Sequence, residues 1–180
     1  MLLDADVICC KKFTQESFFQ GNRSVISYGK AKICYDWPKG SALVLGIPPV
    51  GSDDLIMTIT PNIFAKEIVK NLLDYIYRRY DVRAEEFLLR NTQYHWSEYT
   101  LYYLYAVKSK MFHTFHVPIH EYPSNVLLSK YSLWRESTDD DLTRIRVEDI
   151  IQENAYFLVV QSTSKFTPGE IGRKFAYFIT

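Results

Sequence analysis

Glycine is scarce, at 7 of 180 residues. So few cannot supply a Gly-rich phosphate loop or a propeller- or collagen-type repeat. Neither sign of charge is in excess, with Lys+Arg 21 against Asp+Glu 21. A chain without a basic surplus cannot neutralise a phosphate backbone, so no nucleic-acid partner is expected. Cysteine is limited to Cys9, Cys10 and Cys34, an odd number without a CxxC pair. That disfavours a disulfide framework and a zinc ribbon, and fits free thiols in a reducing, cytoplasmic compartment. No apolar run approaches the roughly 18 residues of a membrane span, so no transmembrane segment is expected. Peripheral contact with a membrane surface stays open. The opening MLLDADVICC holds Asp4 and Asp6 inside its apolar run, unlike a secretory leader, whose basic residues precede the apolar core. HExxH, GxSxG, P-loop and GxGxxG motifs are all missing.

Aromatic residues are plentiful, at 16%, and hydrophobic residues make up 47%. That is enough to bury a core without covalent staples, and the length suits one domain over residues 1–180. Residues 1–10 read as a short buried strand broken by its acidic pair. Residues 33–37 read as a small strand closed by Pro38 and Gly40. Residues 42–50 carry Gly46, Pro48 and Pro49 and read as an edge or a packed loop. Thr60 and Pro61 predict a helix start, and Phe64, Ile68, Leu72 and Ile76 a buried stripe running to about Tyr80. A short helix is expected over 84–90. Another should follow Ser97, from Glu98 to about Lys110, apolar nearly all round. Residues 137–149 are charged and expected to be exposed, and 156–161 form a strand-length apolar run. Thr167-Pro168-Gly169-Glu170 is a capping box opening a last helix, with Ile171, Phe175 and Phe178 on its apolar face. The order predicts an α/β fold without internal repeats.

Three constellations can carry chemistry. Asp4 and Asp6 stand two apart on an apolar strand, so a continuing strand turns both to one face. Two oxygen ligands suit Mg²⁺ or Mn²⁺, which keep other positions for water and substrate phosphates; a strand end with solvated acids is the plain alternative. Glu98 opens a helix beside Trp96 and Tyr99, a candidate general base next to an aromatic wall that suits a sugar ring. A capped helix with aromatic core positions explains the same residues. His113, His116 and His120 are spaced for metal ligation on a helix, but Val117 and Pro118 point to extended chain there.

The segments LLDADV, MTITPNIFAKEIVKNLL (57–73), WSEYTLYYLYA (96–106) and FLVVQS (157–162) together resemble nucleotide-sugar glycosyltransferases of the GT-A fold. More closely they resemble a poorly characterised bacterial and viral group that pairs a DxD strand with a "sEYxLY" helix start. The resemblance implies a partial GT-A-like, Rossmann-related mixed sheet flanked by helices, the catalytic or acceptor half of such an enzyme. It implies that Asp4 and Asp6 hold Mn²⁺ or Mg²⁺ together with a nucleotide-sugar donor. Glu98 would act on the hydroxyl of a glycan acceptor, as in polysaccharide biosynthesis. Trp96 and Tyr99 would shape the acceptor site, and His116 would complete the metal shell. Such enzymes place their base-binding βαβ units before the DxD strand, and here DxD begins at residue 4. The resemblance therefore implies a donor site lacking that N-terminal part, or one completed by a second chain.

Two other classes compete. A haloacid-dehalogenase-like phosphatase also opens on an apolar strand with DxD, Asp4 then being the nucleophile. It needs a later acidic strand, for which Gly51-Ser52-Asp53-Asp54 is the one candidate, and that lies early. The Tyr- and Phe-rich composition also fits a non-catalytic interaction protein.

Overall fold

The computed structural model describes residues 6–34, 36–57, 61–119 and 126–179. In chain order these form β1 (Val7–Cys9), β2 (Phe19–Gln20), β3 (Arg23–Ile26), β4 (Gly29–Lys30), α1 (Trp37–Leu45) and β5 (Leu55–Ile56). Then come α2 (Lys66–Tyr80), α3 (Ala84–Arg90), α4 (Glu98–Lys108), α5 (Phe112–Phe115), β6 (His116–Pro118) and β7 (Val126–Leu128). The chain closes with α6 (Asp139–Arg144), α7 (Val147–Glu153), β8 (Ala155–Val159), α8 (Pro168–Lys174) and α9 (Ala176–Ile179). The class is α/β, and the strands divide among three small sheets, β1-β8-β7, β2-β3-β6 and β4-β5.

β8 is central to the first sheet. It runs antiparallel to β1, with Val7 opposite Val159, and parallel to β7, with Leu128 opposite Phe157. Its faces serve different cores, because successive strand side chains point opposite ways. Phe157 packs with Phe18, Val25, Val117 and Leu127, which joins the sheet to β3 and β6. Leu158 packs with Leu133, Ile145, Ile150 and Phe175 under the C-terminal helices. With both faces covered, an apolar run without alternation is what this position requires.

The helices make a third core. Ile68, Leu72 and Ile76 of α2 are buried against α1, α3 and α4. The helix starts at Lys66, later than the Thr60-Pro61 signal. Phe64 lies flat on Tyr102, ring centroids 4.2 Å apart, and the Ala65 N–H donates to the Tyr102 hydroxyl at 2.8 Å. These contacts hold 63–65 in extended chain before the helix can begin. Tyr80 ends it, with Asp81 in the left-handed region at φ 53°.

Residues 31–45 correct two expectations. Ala31–Cys34 is a 3-10 turn, not a strand. Trp37–Leu45 is a helix with Pro38 in its first turn and Gly46 as a left-handed cap. The proline there forfeits only an N–H that no helix would use. α3 spans the expected residues, and Ser97 caps α4 by accepting the Thr100 N–H. The Thr167–Glu170 capping box forms, and Phe175 is fully buried. Among the described residues, no helix is long and apolar enough to cross a membrane.

Candidate functional site

The register of β1 on β8 decides where Asp6 stands. The amino end of β1 meets the carboxyl end of β8, so the residue before Val7 lies where β7 and β8 both terminate. The Asp6 carbonyl accepts the Val160 N–H at 2.8 Å. Its carboxylate Oδ2 accepts the Ser162 N–H, also at 2.8 Å. The carboxyl edge of parallel strands is the usual ligand edge of α/β sheets.

A cleft of about 660 Å³ opens at this edge. One wall is extruded from the β7–β8 ladder. Leu128 pairs with Phe157 and Leu133 with Val160, so the four residues 129–132 stand opposite only two, Leu158 and Val159. Three side chains hold the bulge. Ser132 Oγ donates to Ser129 O at 2.7 Å and accepts the Val159 N–H that the ladder leaves over. Glu153 accepts from Ser129 Oγ at 2.5 Å and from the Lys130 N–H at 3.0 Å. Bulges of this kind re-aim side chains beside functional sites. The following turn is tied down too: Trp134 N–H donates to Ser137 Oγ and Arg135 N–H to Gln161 Oε1, each at 2.8 Å.

The opposite wall is Ile33, Cys34 and Trp37 at the start of α1. α1 is locked to α4 by Ser41 Oγ and Thr100 Oγ1, 2.6 Å apart, and by Thr100 Oγ1 donating to Trp37 O. Arg144 and Ile145 at the end of α6 close the third side. Three aromatic side chains, Trp37, Tyr131 and Trp134, thus line one cleft, and Gln161 in its wall is one residue from the partner of Asp6.

The other expected site residues are distributed unevenly. Asp4 lies outside the described residues, as does His120. Glu98 is exposed in the first turn of α4, not among the side chains that line the cleft. Tyr99 is buried against Phe64, and the Trp96 indole donates to Leu88 O at 3.3 Å. Both belong to the helical core, which corrects their assignment to an acceptor site. Trp37, Tyr131 and Trp134 do line a cleft, and nothing local in their spacing announces it: they come from separate segments that only the fold brings together.

His116 is corrected as well. Its Nδ1 lies 2.6 Å from Ser24 Oγ and its Nε2 2.6 Å from the Tyr102 hydroxyl. In the neutral ring one of these nitrogens donates and the other accepts. Both nitrogens are engaged, leaving no lone pair for a metal. Burial pushes the ring down to about 4, which keeps it neutral. Burial also raises the Cys10 thiol to about 12, so it stays protonated and inert.

Among the described residues, no three His, Cys, Asp or Glu side chains gather as a metal shell. Asp6 itself fits a hard cation: Oδ2 has one backbone donor and Oδ1 has no partner among the described residues. The acidic pair that a phosphatase would need is otherwise engaged. Asp53 pairs with Lys30 at 3.2 Å and Lys32 at 3.1 Å, and Asp54 accepts the Gly51 N–H at 2.7 Å. Both lie beside β4 and β5, on a different sheet from β1.

The Asp6 carboxylate and the aromatic cleft thus lie toward the same carboxyl edge of β7 and β8. The chain belongs to the family of unknown function DUF6492, whose model matches residues 1–180. No curated protein and no solved structure matches it.

Proposed function

We propose that the chain is a cytoplasmic glycosyltransferase, moving a sugar from a nucleotide-sugar donor to a glycan or other hydroxyl acceptor. One observation carries this reading: the Asp6 carboxylate stands at the carboxyl ends of β7 and β8, beside a cleft walled by Trp37, Tyr131 and Trp134. Asp6, with Asp4 two residues earlier, would hold Mn²⁺ or Mg²⁺. When bound, that ion neutralises charge on the departing diphosphate. The acceptor hydroxyl oxygen bonds to the anomeric carbon as the carbon–oxygen bond to phosphate breaks. The diphosphate leaves with the electron pair, and the hydroxyl proton passes to a carboxylate. Glu98, exposed at the start of the helix that Thr100 ties to Trp37, is proposed for that role although it does not itself line the cleft. Ser24, His116 and Tyr102 take no part, since their hydrogen bonds are closed within the core.

The test is nucleotide release from a panel of uridine and guanosine diphosphate sugars, with and without Mn²⁺. Metal-dependent release is expected, falling roughly 10²-fold or more in Asp6→Asn. Glu98→Gln should lower kcat by a similar factor with the donor KM unchanged. An unchanged kcat would transfer the proton-accepting role to Glu136, which lines the cleft. No release with any donor, together with no nucleotide binding, would end the transferase reading.

A further inference from the structure

We infer that the cleft between the 130–132 bulge and the start of α1 is a saccharide subsite that takes an uncharged pyranose ring. Its assignment to the acceptor, as opposed to any other sugar, rests on the transferase reading above.

Charge argues first. The charged side chains lining the cleft are Lys130, Glu136, Asp141 and Arg144, two of each sign, so nothing there concentrates a phosphate. Their partners weaken them further as anion or cation traps. The Lys130 ammonium sits 5.0 Å from the centroid of the Tyr131 ring. Arg144 reaches Asp140 at 3.6 Å, and Asp141 Oδ2 accepts both the N–H and the hydroxyl of Thr138.

The lining also holds aromatic surface and neutral donors. Trp37, Tyr131 and Trp134 contribute aromatic rings to it, and the negative charge of a π face attracts the polarised C–H face of a sugar ring. Ser137 accepts from Trp134 N–H and keeps its own hydroxyl proton to donate. Gln161 accepts from Arg135 N–H through Oε1 and keeps its –NH₂. Sugar hydroxyls are acceptors for both. A volume of about 660 Å³ falls within the range of small-ligand sites. The bulge is also costly to build, since it breaks a strand ladder and engages Ser129, Ser132 and Glu153 to satisfy what is left. That investment places Tyr131 in the cleft.

The experiment needs neither metal nor nucleotide. Saturation-transfer NMR on the full chain would use methyl glycosides of glucose, galactose and N-acetylglucosamine and their neutral disaccharides. Transfer to ring C–H protons is expected for at least one probe. Trp134→Ala and Tyr131→Ala should each weaken that binding at least tenfold, with thermal unfolding checked in parallel. Gln161→Leu serves where an aromatic variant does not fold, and should weaken binding severalfold. The inference is overturned if no saccharide shows transfer; transfer from uridine or adenosine instead would make the cleft a base site. Binding that survives Trp134→Ala, Tyr131→Ala and Gln161→Leu would also overturn it. Nucleotide release is scored separately: sugar binding without release leaves the subsite standing and removes the transferase reading.

Discussion

Gly40→Ala should destabilise the chain by about 3 kcal/mol or more. A methyl group at this position would lie 1.7 Å from the Tyr94 carbonyl oxygen, 2.8 Å from its carbon and 2.9 Å from the His95 carbonyl carbon. All three are backbone atoms, so no side-chain rotation relieves the overlap, and α1 must move away from the 92–94 turn. The move would pull Ser41 from Thr100 and carry Trp37 out of the cleft wall. Urea unfolding should report the loss, with Tm lower by roughly 10 °C. A loss under about 1 kcal/mol would mean that α1 does not sit this close to the turn.

Between pH 6.5 and 4 the unfolding free energy should fall by roughly 3 kcal/mol on account of His116 alone. The unfolded chain takes up this proton below its ordinary 6.5, whereas burial makes the fold refuse it until about 4. Protons therefore favour the unfolded state within that window. The full stability is present above 6.5, declines as pH falls, and loses nothing more to this group below about 4. Exposed carboxylates act lower on the scale: hydrogen bonds from Thr138 and Thr167 hold Asp141 and Glu170 below their ordinary values. His116→Gln separates the two, since an amide can still accept from one of Tyr102 and Ser24 and donate to the other but does not titrate. Its profile should be flat from 6.5 to 5. His116→Ala should cost roughly 3 kcal/mol or more at neutral pH, because Tyr102 and Ser24 lose a buried partner and a cavity is left. An NMR titration placing His116 near 6.5 in the native chain would contradict the closed hydrogen-bond chain.

Much of the fold follows from local rules visible in the sequence. Ser97 before Glu98, the Thr167–Glu170 box and the unalternating run around Phe157 each specify one structure, and each forms it. α1 was obscured by Pro38 within it and by Pro48 and Pro49 just after it. Pro38 reads as a strand breaker, yet proline in a first turn and Gly46 just past a last turn are helix boundaries. That pairing was there to be used. The start of α2 was not legible, because what delays it is Tyr102, far away in the chain. His116 shows the same limit: its spacing suggested ligation, and only tertiary structure reveals two hydrogen-bond partners.

Of the candidate site, the position of one acid was legible and the cleft was not. Asp6 was expected at the end of an apolar strand, and it stands just before β1, beside the carboxyl end of β8. The cleft is assembled from residues 33, 34 and 37, 130–134, 136–137, 141, 144–145 and 161, with no shared motif. The aromatic wall assigned to Trp96 and Tyr99 is instead helical core, and the wall of the cleft comes from Trp37, Tyr131 and Trp134.

Sugar transfer as proposed depends most on the acids before β1 gripping a divalent cation. Titration of Mn²⁺ followed by electron paramagnetic resonance, on the wild type and on the Asp4→Asn, Asp6→Asn double variant, addresses this directly. Saturable binding to the wild type, weakened at least tenfold in the double variant, is the predicted result. Equal affinity in the two proteins, or none in either, would contradict it.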